Sequence, residues 1–294
     1  MVIHGARIRA TLGPLADELL VFPSTVRIQA EGPSPLAFAF ALPCATPGLK
    51  FMCRESFDYN RSPRDYPLGS RFEEMHAIVV FNRVLVPWER VFLKSDARLC
   101  NLAYAATNAV VHMLHQVVCK NIAKAEFVLG IACLVAETMG SQEAPQVQEK
   151  IAECIVNLEL MKACRRAAEA DAGVDQWGLM CPRRAPLDVA RNVFPKMYPR
   201  MKEILQQLGS SNLMMIPPES VYESPLEEEI GQYLARDRVK LFRLAWDVSC
   251  SAFGGRQELY ERFFFGDPER MASALYQIYD KKPPLDRVRE FLRD

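Results

Sequence analysis

Four consecutive residues, Phe253-Gly254-Gly255-Arg256, place bare backbone beside a fixed positive charge. Glycine lets backbone N–H groups approach an oxygen-rich ligand closely. A helix starting near Arg256 would also aim its free N–H groups at an anion. The other use of such a run is a turn between two helices. A second group of interest is His112, His115 and Cys119. The histidines are about one helical turn apart and the cysteine follows His115 at i+4, so all three could share a face as metal ligands. The alternative is a buried helix whose polar side chains are satisfied locally, and no metal is expected. The stretch 62–77, SPRDYPLGSRFEEMHA, crowds Arg64, Asp65, Arg71, Glu73 and Glu74 together. It is either a solvated loop or a loop that folds over a neighbour or ligand, with Arg71 as the anion-binding group. No G-x-x-x-x-G-K-[ST], G-x-S-x-G or H-E-x-x-H motif is present.

These residues need elements to hold them. The chain has 294 residues, half of them apolar and 24% charged, with Lys plus Arg equal to Asp plus Glu at 36 each. That is enough to bury a sizeable core in one large or two ordinary domains. The balance gives no basic excess for nucleic acid or an anionic membrane. Nine cysteines with no C-x-x-C pair suggest reduced, mostly buried thiols and a cytoplasmic location. No apolar run approaches the roughly 20 residues of a membrane helix, and MVIHGARIRA is not a secretory signal.

Short apolar or β-branched runs fill residues 1–93: VIHGARIRA, LLVFPSTVRIQA, LAFAFAL, LKFMCR and AIVVFNRVLV, punctuated by Pro and Gly. They predict a β-domain, a small barrel or sandwich. Residues 94–294 have helical periodicity and predict a helical bundle. One long helix is expected over 101–139, with a bend at Gly130. A second, N-capped by Ser141, carries the stripe Val147, Ile151, Ile155, Leu158 and Met161. A third, over 187–208, is expected to break or kink at Pro195 and Pro199. Shorter helices follow at 226–234, 238–250, 256–264, 268–279 and 285–292, and CPRRAP at 181–186 reads as an exposed connection. Runs such as IACLVAE and ECIVNLELM are apolar on more than one face, which predicts self-association.

Three longer stretches carry a resemblance. TPGLKFMCRESFD, DYPLGSRFEEMHAIVVFNRVLVPWERVFL and WDVSCSAFGGRQELYERFFFGDPERM resemble the oxygenase component of 4-hydroxyphenylacetate 3-monooxygenase, a family of two-component, reduced-flavin-dependent aromatic hydroxylases. The likeness runs along essentially the whole chain. It implies an α+β fold like that of the acyl-CoA dehydrogenases, with a central β-domain and a C-terminal bundle forming a homotetramer core. Family chains are longer, and their N-terminal helical domain, source of several substrate-binding groups, is not seen here. The resemblance implies flavin contacts at Thr11 and at Phe253, Gly254, Gly255 and Arg256. It places Ser24 and Thr25 beside the substrate, and a lid loop near Gly32-Pro33-Ser34-Pro35. It assigns no catalytic residue.

The implied chemistry is hydroxylation of a phenol ortho to its hydroxyl, using O2 and FAD delivered as FADH2 by a separate flavin reductase. The substrate expected is a small phenol like 4-hydroxyphenylacetate. Two alternatives stand beside it. The same fold serves an FAD and [4Fe–4S] dehydratase of 4-hydroxybutyryl-CoA, which has a histidine and a cysteine on its first bundle helix, as His112 and Cys119 are here. The chain could also be an inactive fragment that only oligomerises.

Overall fold

The computed structural model describes residues 1–22 and 32–293. The chain divides into two compact units: Met1–Pro63 with Leu68–Val110, and Arg64–Pro67 with Val111–Asp294.

In the first unit the strands are β1 (Val2–Thr11), β2 (Glu18–Val21), β3 (Phe38–Pro43), β4 (Leu49–Cys53), β5 (His76–Leu85) and β6 (Val91–Lys94). A one-turn helix α1 (Gly69–Phe72) precedes β5, and α2 (Ala97–Ala106) follows β6. The strands form two antiparallel sheets, ordered β1-β5-β4 and β2-β3-β6. Val79, Phe81 and Val84 of one sheet share a core with Val21, Phe40 and Leu42 of the other. The unit is thus a sandwich, with no closed barrel among the described residues.

Along β5, Ala77, Val79 and Phe81 are buried in strict alternation, as one covered sheet face requires. The next buried residue is Val84, not Arg83. Arg83 has φ 54°, and two β5 residues, Asn82 and Arg83, stand opposite His4 of β1. This bulge turns a charged residue out and resets the apolar face. The Asp96 carboxylate caps α2 by accepting from the Leu99 N–H at 2.8 Å.

The second unit contains α3 (Ala109–Thr138), α4 (Pro145–Ala170), a minimal hairpin β7 (Gly173–Val174) and β8 (Met180–Cys181), and α5 (Arg184–Gly209). After these come α6 (Ser211–Met214), α7 (Glu227–Gly231), α8 (Arg236–Ser249), α9 (Ala252–Phe263), α10 (Pro268–Ile278) and α11 (Lys282–Phe291). None of the described helices is long and apolar enough to cross a membrane.

Several expectations are corrected here. The helix expected over 101–139 is two helices, broken at Thr107–Asn108 and not at Gly130. Asn108 takes the left-handed φ of 54° that ends a helix. Ser141 does not cap α4, which starts at Pro145 behind Ala144; its hydroxyl instead donates to the Ala136 carbonyl near the end of α3, at 3.3 Å. Pro195 and Pro199 both lie inside an unbroken α5. A proline costs a helix ~3 kcal/mol. Here Leu187, Phe194, Met201, Ile204 and Leu205 are each at most 1% exposed, and burial on that scale outweighs the lost N–H. The 181–186 segment is not all connection, since α5 begins at Arg184.

Candidate functional site

The turn from α8 into α9 places the Phe253–Arg256 run. Helix α8 ends at Ser249, and the Cys250 and Ser251 N–H groups both donate to the Trp246 carbonyl, at 2.7 and 3.1 Å. The Ser251 hydroxyl donates to the Asp247 carbonyl at 2.8 Å and accepts from the Gly254 N–H at 3.0 Å, a serine N-cap. The glycines therefore do not interrupt a helix; they lie in the first turn of one. Their roles differ. A Cβ on Gly254 would stand 2.5 Å from the Val248 carbonyl oxygen and 2.7 Å from that of Asp247, so this glycine permits α8 and α9 to touch. A Cβ on Gly255 would meet nothing within 4 Å. Phe253 is 6% exposed and packs inward. Arg256 is half-buried, its guanidinium 5.5 Å from the centre of the Tyr260 ring.

A buried polar network holds this first turn. Lys202 of α5, 3% exposed, donates to the Gly254 carbonyl at 2.8 Å and to Glu258 Oε2 at 3.0 Å. Burial pushes the Lys202 ammonium below its usual range, and the bond to Glu258 offsets part of that. For Glu258, burial acts upward, but Lys202 and Arg262 together hold its carboxyl below the ordinary value. Deeper along α9, the fully enclosed Glu261 carboxylate takes Lys120 and Lys124 of α3, each at 2.5 Å, and Lys124 also reaches Gln257 at 2.7 Å. The two lysines lie over the Tyr260, Phe264 and Tyr198 rings. Sequence reasoning missed this network. Its signal was the i,i+4 pair Lys120 and Lys124 facing the i,i+4 pair Gln257 and Glu261.

The other expected residues fall elsewhere. Thr11 ends β1, exposed and paired with His76. The left-handed Leu12 and a short turn at Gly13–Leu15 follow it. Ser24 and Thr25 lie outside the described residues. Arg7 Nη1 holds the Phe22 carbonyl at 2.6 Å, just before them. Ser34 of the expected lid is buried and pinned by its N–H to the Ser95 carbonyl at 3.0 Å. In the 62–77 stretch, Asp65 of the second unit accepts from the Glu219 N–H at 2.9 Å and lies 3.5 Å from Arg243 Nε. Arg64 pairs with Glu223 at 2.8 Å. That part is an anchored strap, not a solvated loop. Arg71 is exposed on α1. His112 and Cys119 fall in separate groups, His112 with Asp175 and Cys181, Cys119 with His115 and Glu169.

Residues 1–93 match the family described as 4-hydroxyphenylacetate 3-hydroxylase N terminal, and residues 100–293 its C terminal counterpart. The chain belongs to the 4-hydroxyphenylacetate 3-hydroxylase family. A family relative from Thermus thermophilus, the 4-hydroxyphenylacetate 3-monooxygenase oxygenase component, is 52% identical over all of this chain and 62% of its own length. A solved structure of a 4-hydroxyphenylacetate 3-monooxygenase oxygenase component, complexed with FAD and 4-hydroxyphenylacetate, superposes with a TM-score of 0.94 at 52% identity. It covers 99% of this chain and 62% of the other. The chain thus spans about three fifths of the length of the family members it matches. Two distant structures show the fold alone: an archaeal 4-hydroxybutyryl-CoA dehydratase from N. maritimus, TM-score 0.83 at 16% identity, and butyryl-CoA dehydrogenase from Megasphaera elsdenii, 0.59 at 17%. The family fold is α+β and acyl-CoA dehydrogenase-like.

Proposed function

We propose that this chain supplies the β-domain, residues 1–93, and the flavin-binding, oligomer-forming bundle, residues 94–294, of a two-component phenol hydroxylase. The observation that carries this is the family match over both segments, together with an α9 first turn whose outer side fits a flavin. The fit comes from two residues. Gly255 leaves open space where a side chain would stand. Arg256, the next residue, holds a half-buried guanidinium over the Tyr260 ring, and such a group can grip phosphate oxygens in a two-pronged way. Phe253 and Gly254 support that turn from within, so their part is packing and not direct contact. Thr11 at the end of β1 is proposed to face the flavin, and Ser24 and Thr25 the phenol.

When bound in its reduced form, FAD would supply the two electrons that activate O2, one atom of which enters the ring while the other leaves as water. The protein's share is to hold cofactor and phenol in register and to keep water out. Lys202, Glu258 and Glu261 fix α9 so that Arg256 does not have to be ordered on binding. A flavin reductase delivers FADH2, the substrate is a small phenol such as 4-hydroxyphenylacetate, and the working form is a homotetramer in the cytoplasm. The assay mixes the chain with a flavin reductase, NADH, FAD, O2 and 4-hydroxyphenylacetate and follows the catechol by chromatography. 3,4-Dihydroxyphenylacetate above a control lacking the chain is the expected result. Hydrogen peroxide at the level of the reductase alone, with the phenol untouched and no saturable uptake of reduced FAD, contradicts the proposal.

A further inference from the structure

Helix α3 presents His115 and Cys119 one turn apart on one face, and α4 brings Glu169 against them from 50 residues along the chain. His115 Nε2 lies 2.8 Å from Glu169 Oε1, and the nitrogen, sulfur and carboxylate oxygen all lie within 4.8 Å of one another. The α8–α9 turn and its network make no use of this group. We propose that His115, Cys119 and Glu169 bind one zinc-class divalent cation and clip α3 to α4, with a water as the fourth ligand.

The donor set favours this ion class. One imidazole, one thiolate and one carboxylate suit a borderline metal such as zinc, whose bonds to them are about 2.0–2.3 Å. A tetrahedral ion then needs its ligand atoms about 3.3–3.8 Å apart, so the present spacing closes by small side-chain rotations. The site can be reached, since the His115 and Glu169 side chains are 32% and 46% exposed. One cation competes. Arg165, four residues before Glu169 on α4, holds its Nε 3.6 Å from the same Oε1, and its 39% exposed side chain can swing to solvent. The neighbouring group of His112, Asp175 and Cys181 is the weaker candidate. Its Asp175 Oδ1 already accepts from the Trp177 and Leu179 N–H groups at 2.8 and 3.0 Å, and the Cys181 thiol points at the Pro182 carbonyl.

Binding replaces the His115–Glu169 hydrogen bond by two coordination bonds and adds a third from sulfur. Cys119 ligates as a thiolate, so its proton passes to solvent, and uptake tightens as pH rises. The proposal does not rest on the flavin assignment.

Cobalt(II) is the probe, because a bound thiolate gives it a sulfur-to-metal absorption band absent for oxygen and nitrogen ligands. The reduced 294-residue chain should take up one equivalent, show that band, release about one proton per ion, and lose the colour when zinc is added. Cys119→Ser should abolish the band. Glu169→Gln, isosteric and at the surface, should weaken binding by more than the roughly 10–100-fold that loss of an outer-shell partner costs. Zinc should raise the melting temperature of the parent but not of Cys119→Ser, while Cys181→Ser should behave as the parent. No saturable uptake, a thiolate band that survives in Cys119→Ser, or one lost instead in Cys181→Ser would each overturn the proposal.

Discussion

Gly254 and Gly255 are adjacent in sequence and opposite in use. A methyl at 254 collides with two carbonyl oxygens at 2.5 and 2.7 Å, and backbone cannot step aside as a side chain can. Gly254→Ala should therefore destabilise by about 1–3 kcal/mol, measured as a fall in denaturation midpoint. Gly255→Ala enters open space at a helical position and should stabilise by about 0.5–1 kcal/mol. If Gly255 lies against the flavin, that more stable variant should nonetheless bind reduced FAD less tightly. Equal stability effects from the two variants would contradict the split described for this turn. From FGGR alone the two residues cannot be told apart. The signal that separates them is three residues upstream, where Ser251 caps the helix and fixes which glycine faces α8.

Among the elements, β1, β3, β4 and β5 were legible because turn residues bound short runs and one face alternates. The bundle helices were legible from their period. What sequence could not show was which helix carries the burial. The two prolines of α5 argue for a break, and only its enclosure by α4, α8 and α9 explains why there is none. The break at Asn108 was equally hidden, because its left-handed backbone follows a run of helix formers, while Gly130 drew attention and does nothing unusual. The packing of α4 on α5 makes a pH prediction. Arg200 donates to Glu153 at 2.9 Å through both Nε and Nη2, and this bond, against a smaller effect of burial, holds the Glu153 carboxyl below its ordinary 4.5. A depressed acid contributes stability above its unfolded value and loses it as pH falls through the folded one. The midpoint difference between the parent and Glu153→Gln should thus be largest above the ordinary carboxylate value of 4.5 and shrink as the solution is acidified below it. The pair is partly exposed, so the difference should be below about 1 kcal/mol. A gap that widens on acidification would be the wrong sign.

At the scale of the whole molecule, apolar side chains remain uncovered in one chain. Phe127 and Leu134 of α3 are 45% and 52% exposed, and Ile155, Val156 and Leu160 of α4 are 44%, 66% and 41% exposed. A single bundle has no use for such a surface. The expectation is a tetramer by sedimentation velocity at micromolar concentration, and a smaller species for Leu134→Glu combined with Val156→Glu. A well-behaved parent monomer would count against it. The assembled protein also frames the decisive measurement, an anaerobic titration of the chain and of Arg256→Ala with reduced FAD. Saturable binding by the parent, weakened by about 1.5–3 kcal/mol or tenfold and more in the variant, is the predicted result. Equal affinity in the two proteins, or no saturable binding by the parent, would contradict the assignment of the α9 turn as the flavin site.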